Sequence, residues 1–529
     1  MNCFRNLISN EQKQHINRFI SKNKKSSITN KSKEVVLFEE CFEYPRLIAF
    51  SYFAEFWSIR KYKLVSYNPH FRVSLSSKLR KLLTEIFLAK HPQHILLKIL
   101  RSMGIRSRIK PDRIGLNHLE LTQIASMRGE SKEALLNFSY SGVPLGEIFY
   151  DWFLRKNLKP TVDTNSNLFL TEFENFLGNA KWWLNYFDNV NVKAVHISHH
   201  VYIQGLPARI AIFRGIPVYA VSFDRCYFLS ESHQYSEMEF ENYHSTNEEF
   251  FNYKISIPEV KEKLNALQKG EEFITKEHSS VSSFKSNDAN WGFKDSQNQV
   301  NVLIATHCFT ESVHHLGSLL FPDYYMWTLF LANLSKNTSY SWYIRAHPYF
   351  NSAEHKTFYS ILKDNPHLIE VPSDISLSQL VKSGINAVFT AYGTIGFDAP
   401  SLKVLTVAAS TNAAYKNYTF CKIPNDVSDL VKIVEELPDL ILTHKIKEEE
   451  LLHFFSVHFL RMSHSWLFGN LQELVAKSMG QYSQVFTDAK LFSFWIDSIC
   501  TKDYEDKIRL NIKTFIERQA YFMDGHSIG

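Results

Sequence analysis

The chain has 529 residues, of which 45% are hydrophobic, 14% aromatic and 21% charged, and this composition excludes an intrinsically disordered protein. The length exceeds what one hydrophobic core usually supports, so we expect two domains with a cleft between them. The formal net charge of +5 is too small to indicate a nucleic-acid-binding protein, although it allows a locally basic surface.

The six cysteines show no CxxC spacing, which favours reduced thiols and argues against a structural zinc site. The N-terminal stretch lacks the apolar segment of a signal peptide, and no later apolar run approaches the length needed to cross a bilayer. We therefore expect a cytoplasmic protein that would meet a membrane only from its surface.

Residues 1–267 are predicted to form a first Rossmann-like domain. The residue patterns predict strands at residues 34–38, 62–67, 192–198 and 217–222, and helices near residues 42–59 and 206–214. Helical patterns dominate from about residue 74 to residue 190, so this stretch is interpreted as a helical insertion. Residues 268–298 are polar and rich in Ser, Asn and Lys, and we interpret them as the linker between the domains.

Residues 299–529 are predicted to form a second Rossmann-like domain with a helical tail. The predicted strands lie at residues 300–306, 341–346, 368–371, 386–391 and 404–408, and helical patterns alternate with them. This alternation points to a parallel, doubly wound sheet. The tail from residue 426 onward reads as mostly helical, and we expect part of it to return across the first domain.

Polar side chains follow two predicted strands of the first domain. His199 and His200 come after the strand at residues 192–198, and Asp224 comes after the next strand. Because ligands bind at the carboxyl ends of parallel strands, these three side chains are expected to face the cleft. Capping of the following helix and ordinary strand-end polarity remain alternative roles for each of them.

In the second domain, Arg345 and His347 share one face of the strand at residues 341–346, and Pro348 ends that strand. We expect the two side chains to leave the sheet together. A guanidinium beside an imidazole suits a phosphorylated or carboxylated ligand, although such a pair is also common at a solvated strand end.

A glycine-bearing turn, YGTIG at residues 392–396, follows the strand at residues 386–391 and opens a helix. Its two glycines allow a ligand to approach the backbone closely, and the start of the helix suits a phosphate. Asp398 lies one turn into the helix, where it either stabilises the helix N-terminus or accepts hydrogen bonds from ligand hydroxyls. A tight strand-to-helix turn without a ligand is the alternative interpretation.

Four segments carry a family resemblance: ATHCFTESVHHLGSLLFPDYYMW, YSWYIRAHPYF, VPSDISLSQLVKSGINAVFTAYGTIGFDAPSLKVLTVAA and NYTFCKIPND. In order and spacing they are similar to a group of bacterial surface-polysaccharide and capsule biosynthesis proteins. The resemblance covers residues 300–430 well, and a weaker one lies in AVHISHHVYIQGLPARIAIFRGIPVYAV. It implies an α/β fold of the GT-B type seen in glycosyltransferases, with two Rossmann-like domains whose parallel sheets face a cleft.

The resemblance also implies site residues, carried over only where this chain matches the pattern. These residues are His307, Glu311, His314, His347, Asp374, Gly393 and Thr394. Tyr392 belongs to the same turn, and Asp398 stands where the related proteins usually have Glu, which shortens the reach of the carboxylate by one methylene group.

His307, Glu311 and His314 are spaced i, i+4 and i+7, which would place them on one face of a helix where they could mimic a metal site. Since GT-B enzymes generally work without a bound metal, we expect no metal here. Glu311 could orient a histidine that contacts the acceptor or the leaving phosphate. The cluster could equally be a buried polar network at the domain junction.

The leading functional hypothesis is transfer of a sugar from a nucleotide-activated donor to a surface glycan or its lipid-linked precursor. The resemblance makes CMP-activated Kdo a candidate donor, and the expected partners are therefore a nucleotide sugar as substrate, with no separate cofactor, and a glycan or lipid-linked acceptor. His347 and Arg345 would stabilise the leaving phosphate, and a base from the first domain would deprotonate the acceptor. The alternatives are a CDP-alcohol phosphotransferase of the teichoic-acid-polymerase type and a catalytically silent assembly protein.

Residues 76–111 carry nine basic side chains against the single acid Glu85, interleaved with apolar residues. One face of the predicted helices is therefore apolar and the other basic. Such a helix pair either packs on its own domain or docks on an anionic membrane. A lipid-linked acceptor favours docking at the inner face of the cytoplasmic membrane.

Overall fold

The structure is a computed structural model that describes residues 9–24, 32–69, 92–112, 114–237, 256–271, 283–285, 300–317, 319–411, 413–461, 464–474 and 482–527. Two β-sheets, each lying between layers of helices, organise these residues. The architecture confirms the predicted α/β class with parallel sheets.

The strands of the first sheet are β1 (Val35–Glu39), β2 (Lys63–Tyr67), β3 (Ser107–Ile109), β6 (Val192–Ile197), β7 (Val218–Val221), β8 (Cys226–Leu229) and β16 (Phe522–Met523). The strands of the second sheet are β9 (Asn301–Ala305), β10 (Ser341–Arg345), β11 (Ile369–Glu370), β12 (Ala387–Thr390) and β13 (Leu405–Ala408). Two short ribbons pair β4 (Ser139–Tyr140) with β5 (Val143–Pro144), and β14 (His464–Ser465) with β15 (Gly469–Asn470).

The helices up to the linker are α1 (Asn10–Lys22), α2 (Tyr44–Ile59), α3 (Pro92–Ser102), α4 (His118–Ser126), α5 (Lys132–Leu136), α6 (Gly146–Asn157), α7 (Asn167–Asn189), α8 (Tyr202–Ile212) and α9 (Ile257–Gln268). Those of the second domain are α10 (Tyr324–Leu334), α11 (Ser352–Asp364), α12 (Leu377–Lys382), α13 (Ile395–Ser401), α14 (Val427–Glu435), α15 (Leu437–Thr443) and α16 (Glu448–Phe454). The tail adds α17 (Leu471–Leu474), α18 (Tyr482–Thr487), α19 (Lys490–Phe494) and α20 (Lys502–Arg518).

Each predicted strand is present and its ends lie within one residue of the prediction. These strands are short apolar runs that are buried on both faces: all five residues of β1 are buried, with Leu37 packing on one side of the sheet and Val36 and Phe38 on the other. Helix α8 begins four residues earlier than predicted, directly after the histidines that follow β6.

The strand order is β16-β8-β7-β6-β1-β2-β3 in the first sheet and β11-β10-β9-β12-β13 in the second. The second sheet is parallel throughout. In the first sheet the neighbouring strands β7, β6, β1, β2 and β3 are parallel. Strands β8 and β16 form an antiparallel edge beside β7. The parallel parts of the two sheets share one topology. The chain first adds strands on one side of its first strand (β2 and β3 beside β1, β10 and β11 beside β9) and then adds strands on the other side (β6 and β7, β12 and β13).

The C-terminal tail belongs to the first domain. Strand β16 pairs with β8, Trp466 and Trp495 are fully buried in the core beneath the first sheet, and the Trp466 indole donates to the carbonyl oxygen of Ser222 at 2.8 Å. The expected return of the tail is therefore confirmed. Residues 464–474 and 482–527 contribute to the core of the first domain, whereas the predicted second domain extends to residue 529.

Helix α6 of the first domain holds the second domain in place. The buried carboxylate of Asp151 accepts hydrogen bonds from the backbone of Val313 (3.2 Å), the backbone of His314 (3.0 Å) and Nδ1 of His314 (2.7 Å). The neighbouring Tyr150 hydroxyl donates to Asp323 at 2.6 Å. Apolar residues of both domains form one continuous core around these contacts. The two sheets are therefore held in a defined relative position.

Asp151→Ala should destabilise the folded chain by about 3–5 kcal/mol, because it leaves two backbone N–H groups and a buried imidazole without their acceptor. Equilibrium urea unfolding measures this loss. The matched control is Asp188→Ala, which removes an exposed ion pair with Arg214 and should cost less than about 1 kcal/mol. Equal losses in the two variants would contradict the role of Asp151.

The stabilisation that the Asp151–His314 contact contributes should depend on pH. Burial lowers the pKa of His314, but the charge and hydrogen bond of Asp151 outweigh burial and the net direction of the pKa is upward. A raised folded-state pKa means that the ionic contribution is fully present below the ordinary histidine pKa of about 6.5 and is lost as the pH rises through the folded-state value. The difference in unfolding free energy between wild type and Asp151→Ala should therefore shrink with rising pH.

Candidate active site

The strand order fixes where a ligand can enter each sheet. In an open parallel sheet the crevice lies at the carboxyl ends of the two strands between which the chain reverses its direction of building. In the first sheet these strands are β1 and β6, and in the second they are β9 and β12. The residues that follow these four strands are therefore the candidates for a site.

A histidine bridge shows that the two crevices face each other. His200, after β6, donates from Nε2 to the carbonyl oxygen of His315, in the loop after β9, at 2.7 Å. The His315 ring in turn contacts the hydroxyl of Tyr392, which follows β12. The carboxyl ends of β6, β9 and β12 thus meet across one cleft. His199, His200, His307 and Tyr392 all contribute surface to it.

His200 is engaged on both ring nitrogens. Its Nδ1 accepts from the Ser236 hydroxyl at 2.7 Å, because Nε2 carries the proton donated to His315. Burial lowers the pKa of His200 to about 4, so the ring is neutral at physiological pH. In this arrangement His200 joins the two domains.

Aromatic rings and imidazoles line the second-domain side of the cleft. The His307 ring stacks on Tyr324 with centroids 4.6 Å apart and on His347 with centroids 5.6 Å apart, and Tyr392 lies 5.9 Å away. Burial lowers the pKa of His307 to about 3, and the nearby His347 and His315 add to this effect. His307 Nδ1 is buried and has no hydrogen-bond partner within the described part of the chain.

Two contacts set the tautomer of His347. The backbone N–H of Tyr349 donates to its Nδ1 at 3.3 Å, and the thiol of Cys308 lies 3.0 Å from the same atom. Burial raises the pKa of the Cys308 thiol, so it stays protonated and donates. With Nδ1 as an acceptor, Nε2 carries the ring proton. His347 therefore has its N–H donor on Nε2.

The loop after β9 does not have the helical conformation that the spacing of His307, Glu311 and His314 suggested. Residues 306–317 form turns and not a helix, so the spacing of His307, Glu311 and His314 does not place them on a common face. His314 is held by Asp151, away from His307, which stacks on Tyr324. Of the two interpretations left open, the buried polar network at the domain junction describes His314. Burial raises the pKa of Cys308 and of Tyr392, and the charge of the half-buried Glu311 adds to both rises.

Arg345 and His347 do not leave the sheet together. Arg345 donates to the carbonyl oxygen of Ser373 at 2.8 Å, on the side of the loop before α12, while His347 contacts Cys308 in the loop after β9. Burial lowers the pKa of Arg345, and the charge of Asp374 acts in the opposite direction. The structure thus places Arg345 with Asp374.

The glycine turn is shaped by its neighbours. A Cβ atom on Gly396 would lie 2.1 Å from the ring of Tyr415, and a Cβ atom on Gly393 would lie 3.1 Å from Nε2 of His307. The Tyr415 hydroxyl also donates to the carbonyl oxygen of Gly393 at 3.2 Å. Gly396 is therefore required for close packing against Tyr415, and Gly393 lets the turn approach His307.

The remaining residues of the turn lie at different depths. Thr394 is exposed at the start of α13. Asp398 is buried, accepts a hydrogen bond from Ser283 of the predicted linker at 2.8 Å, and has its pKa raised to about 7 by burial. The structure brings Tyr392, Gly393 and His307 together, and it places Asp398 beneath them.

On the first-domain side, Asp224 follows β7, one strand away from the crevice. Its carboxylate lies 3.6 Å from Arg225, and its backbone carbonyl contacts Trp466 of the returning tail. His199, by contrast, is exposed at the crevice and contacts Ser198, whose hydroxyl donates to Glu39 at the end of β1. Glu39 belongs to no sequence motif, but the carboxyl-end rule applied to β1 identifies it.

Comparison with solved structures gives likenesses of low identity. A beta Kdo 2,4 transferase, KpsC of Thermosulfurimonas dismutans, is 12% identical over 50% of this chain and 79% of its own, with a TM-score of 0.32. MurG of Acinetobacter baumannii is 11% identical over 80% and 94%, with a TM-score of 0.24. A UDP-GlcNAc 2-epimerase from Neisseria meningitidis is 10% identical over 81% and 98%, with a TM-score of 0.24.

No family model matches the chain, and no curated protein matches it either. The assignment of the fold therefore rests on the strand order, the strand directions and the facing crevices. Together these make the chain a GT-B-like protein.

Gly396→Ala should destabilise the turn by roughly 1–3 kcal/mol, because the added methyl group overlaps the buried ring of Tyr415. The double variant Gly396→Ala/Tyr415→Ala tests the cause, since removing the ring makes room for the methyl group. In urea unfolding, the second substitution should cost less in the Gly396→Ala background than in wild type. Strict additivity of the two losses would show that the overlap is not the cause. Gly115→Ala, with nothing within 4 Å of the added atom, is the control.

Proposed function

We propose that this chain is a glycosyltransferase that moves a sugar from a nucleotide-activated donor to a glycan or to its lipid-linked precursor. The observation that carries this proposal is the pair of facing crevices, with an N–H donor at Nε2 of His347 on one side and an accessible imidazole at His199 on the other. A transfer reaction needs both: a group that stabilises the leaving phosphate and a base that deprotonates the acceptor.

In this proposal the second domain binds the nucleotide. Nε2–H of His347 donates to the leaving phosphate, and the exposed Thr394 and the adjacent Gly393 form the turn against which the phosphates lie. Tyr392 and His307 pack beside this turn and shape the pocket. No separate cofactor is needed, because the nucleotide sugar is itself a substrate.

Other predicted site residues have supporting roles in this proposal. Arg345, which ends β10 beside Asp374, would supply positive charge near that strand end without contacting the phosphate itself. Glu311 supplies negative charge near Tyr392, and His314 fixes the loop through Asp151. Asp398 supports the turn from below and, once Ser283 moves, could accept a ligand hydroxyl.

For the donor we propose a cytidine nucleotide, with CMP-Kdo as the candidate raised by the sequence resemblance. The acceptor would be a surface glycan or its lipid-linked precursor at the inner face of the cytoplasmic membrane, with no part for nucleic acid. The pairing of a His-Pro strand end with a glycine turn is shared with CDP-alcohol phosphotransferases of the teichoic-acid-polymerase type. That reaction and a silent binding protein are treated as outcomes of the experiment below.

The experiment combines a thermal-shift panel of CMP, CDP, UDP and GDP with turnover of the matching donors. We expect CMP to raise the melting temperature, since binding to the native state stabilises it by mass action. His347→Ala should lower kcat by on the order of 10²-fold while leaving the melting temperature nearly unchanged. Preference for CDP with release of an alcohol phosphate would favour the phosphotransferase. No turnover of any donor would favour the silent protein, and near-normal turnover in His347→Ala would contradict the assignment of the site.

We also propose membrane contact, through fewer basic residues than the nine in residues 76–111. Lys78, Arg80, Lys81 and Lys90 lie outside the described residues. In α3 the apolar face, including Ile95 and Ile99, is buried in the domain core, so it cannot insert into lipid. The exposed basic residues Lys98, Arg101 and Arg106 remain available to anionic lipid. Within the described part of the chain no helix is long and apolar enough to span a bilayer.

Sedimentation with anionic liposomes tests this contact. Three exposed basic residues near an anionic surface should contribute roughly 1 kcal/mol each, so the triple variant of Lys98, Arg101 and Arg106 to Glu should release the protein at low salt. Wild type should bind at low salt and dissociate at high salt. Replacement of Lys432 and Lys447, exposed basic residues of the second domain, is the control. Undiminished binding of the triple variant would show that α3 is not the contact.

A further inference from the structure

A chain of three side chains connects the core of the first domain to the cleft. Glu39, at the end of β1, is buried and accepts on Oε2 from both the backbone N–H (2.6 Å) and the hydroxyl (2.9 Å) of Ser198, which follows β6. The Ser198 hydroxyl oxygen lies 2.9 Å from Nδ1 of His199. Of these three residues only His199 is exposed, at the crevice of the first sheet.

The hydrogen bonds determine where the protons lie. Since the Ser198 hydroxyl donates to Glu39, its oxygen accepts from His199, so Nδ1 of His199 carries the ring proton. Nε2 then carries the electron pair of the ring. Nη1 of Arg46 lies 3.2 Å from Nε2 and 3.4 Å from Nδ1 of His199, so the guanidinium lies beside both ring nitrogens, does not itself decide the tautomer, and must move aside when Nε2 takes a proton.

We propose that His199 is the base that takes the acceptor's proton, and that Glu39, acting through Ser198, is the positioning residue that fixes its tautomer and receives the displaced proton. This inference rests on the proposed glycosyl transfer and deepens it. It selects one of the three candidates of the first domain, because His200 is bonded through Nε2 to His315 and through Nδ1 to Ser236, and Asp224 lies one strand away.

The proton balance of the step is as follows. The acceptor oxygen forms its bond to the anomeric carbon of the donor as the bond from that carbon to the leaving phosphate breaks, and the phosphate keeps the electron pair. The acceptor's proton moves to Nε2 of His199, the Nδ1 proton moves to Ser198, and the Ser198 proton moves to Glu39. Glu39 becomes a carboxylic acid, and Ser198 and His199 end as neutral as they began.

The electrostatic surroundings fit this role. Burial raises the pKa of Glu39 to about 7, while the hydrogen bonds of Ser198 and the charge of Arg46 act in the opposite direction and Glu43 adds to the rise. Burial, Arg46 and His200 lower the pKa of His199, which keeps Nε2 unprotonated before reaction. A carboxylate that is half-protonated near neutral pH can both accept the proton and return it to solvent.

The other ionisable groups beside Glu39 and His199 include Arg46, Glu43 and Cys41. Arg46 is paired with Glu43 at 2.7 Å, and burial raises the pKa of the Cys41 thiol, which therefore stays neutral. The raised pKa of Glu39 gives the sign of the pH dependence: the relay works with Glu39 ionised, so kcat should rise with pH through about 7.

The test compares Glu39→Gln with Glu40→Gln. Glu40 is the adjacent buried carboxylate, held by Arg108 and Ser66, and it has no contact with His199. In Glu39→Gln the amide oxygen takes the place of Oε2, because the backbone N–H of Ser198 needs an acceptor there, so the Ser198 hydroxyl still donates to it but the amide cannot take up the proton. We expect kcat to fall by on the order of 10²-fold with donor KM unchanged, and the rise of kcat near pH 7 to disappear. Glu40→Gln should keep the wild-type kcat and the rise of kcat near pH 7.

Substitutions of Ser198 test the relay independently, because a threonine keeps the hydroxyl group and an alanine removes it. Ser198→Thr keeps the hydroxyl and should retain most of the activity, whereas Ser198→Ala should resemble Glu39→Gln. Unchanged kcat and an unchanged pH profile in both Glu39→Gln and Ser198→Ala would overturn the relay.

A readout that needs no turnover separates this inference from the proposed function. ¹⁵N NMR of histidine-labelled protein, with His199 identified by its loss in His199→Gln, should show a protonated Nδ1 in wild type and also in Glu39→Gln, whose amide oxygen still accepts from Ser198. Wild-type protein with an unprotonated Nδ1 would overturn the relay even if the enzyme transfers sugar. If instead the tautomer is as expected but no nucleotide sugar is turned over, the proposed function fails and the relay must serve another acceptor.

Discussion

The buried carboxylate of Asp151 is the contact on which the cleft depends. It holds the loop after β9 by three hydrogen bonds, and that loop carries His307, Cys308 and His315. Through this loop the position of α6 in the first domain is transmitted to the tautomer of His347 and to the bridge from His200. Because a buried carboxylate is stable only with its donors in place, the loop has little freedom to rearrange. The cleft is thus preorganised by an interaction that lies outside it.

Desolvation gives the cleft its electrostatic character. It lowers the pKa values of His199, His200 and His307, so these imidazoles are neutral, and hydrogen bonds fix the tautomers of His199 and His200. The sequence predicted a guanidinium beside an imidazole at the end of β10, as a cationic or hydrogen-bonding group for a phosphate. The structure instead supplies neutral imidazoles at the reacting edge and keeps formal positive charge at Arg345 and Arg46, each beside a carboxylate. Such a site stabilises developing charge without holding a strong fixed charge in the resting state.

The sequence predicted the sheets well, because their strands are short apolar runs followed by polar or glycine turns, which is a local signal. It also located the crevice, because the carboxyl-end rule needs only the positions of the strands. It did not predict the shape of the loop after β9, where Asp151 and His314 are 163 residues apart, and the helical spacing there was a coincidence. Nor could it join Glu39 to Ser198, which are 159 residues apart and meet only because β1 pairs with β6. The two-residue strand β16 carries no local signal either, since its pairing with β8 depends on the returning tail.

The central claim is that one cleft holds a nucleotide on the second-domain side and an acceptor on the first-domain side. A crystal structure of the protein with CMP tests it most directly. The account predicts the phosphate within about 3 Å of Nε2 of His347, against the turn at Gly393 and Thr394, with the ring of His199 across the cleft from it. A nucleotide bound at the first-domain crevice, beside Glu39 and His199, would contradict the account.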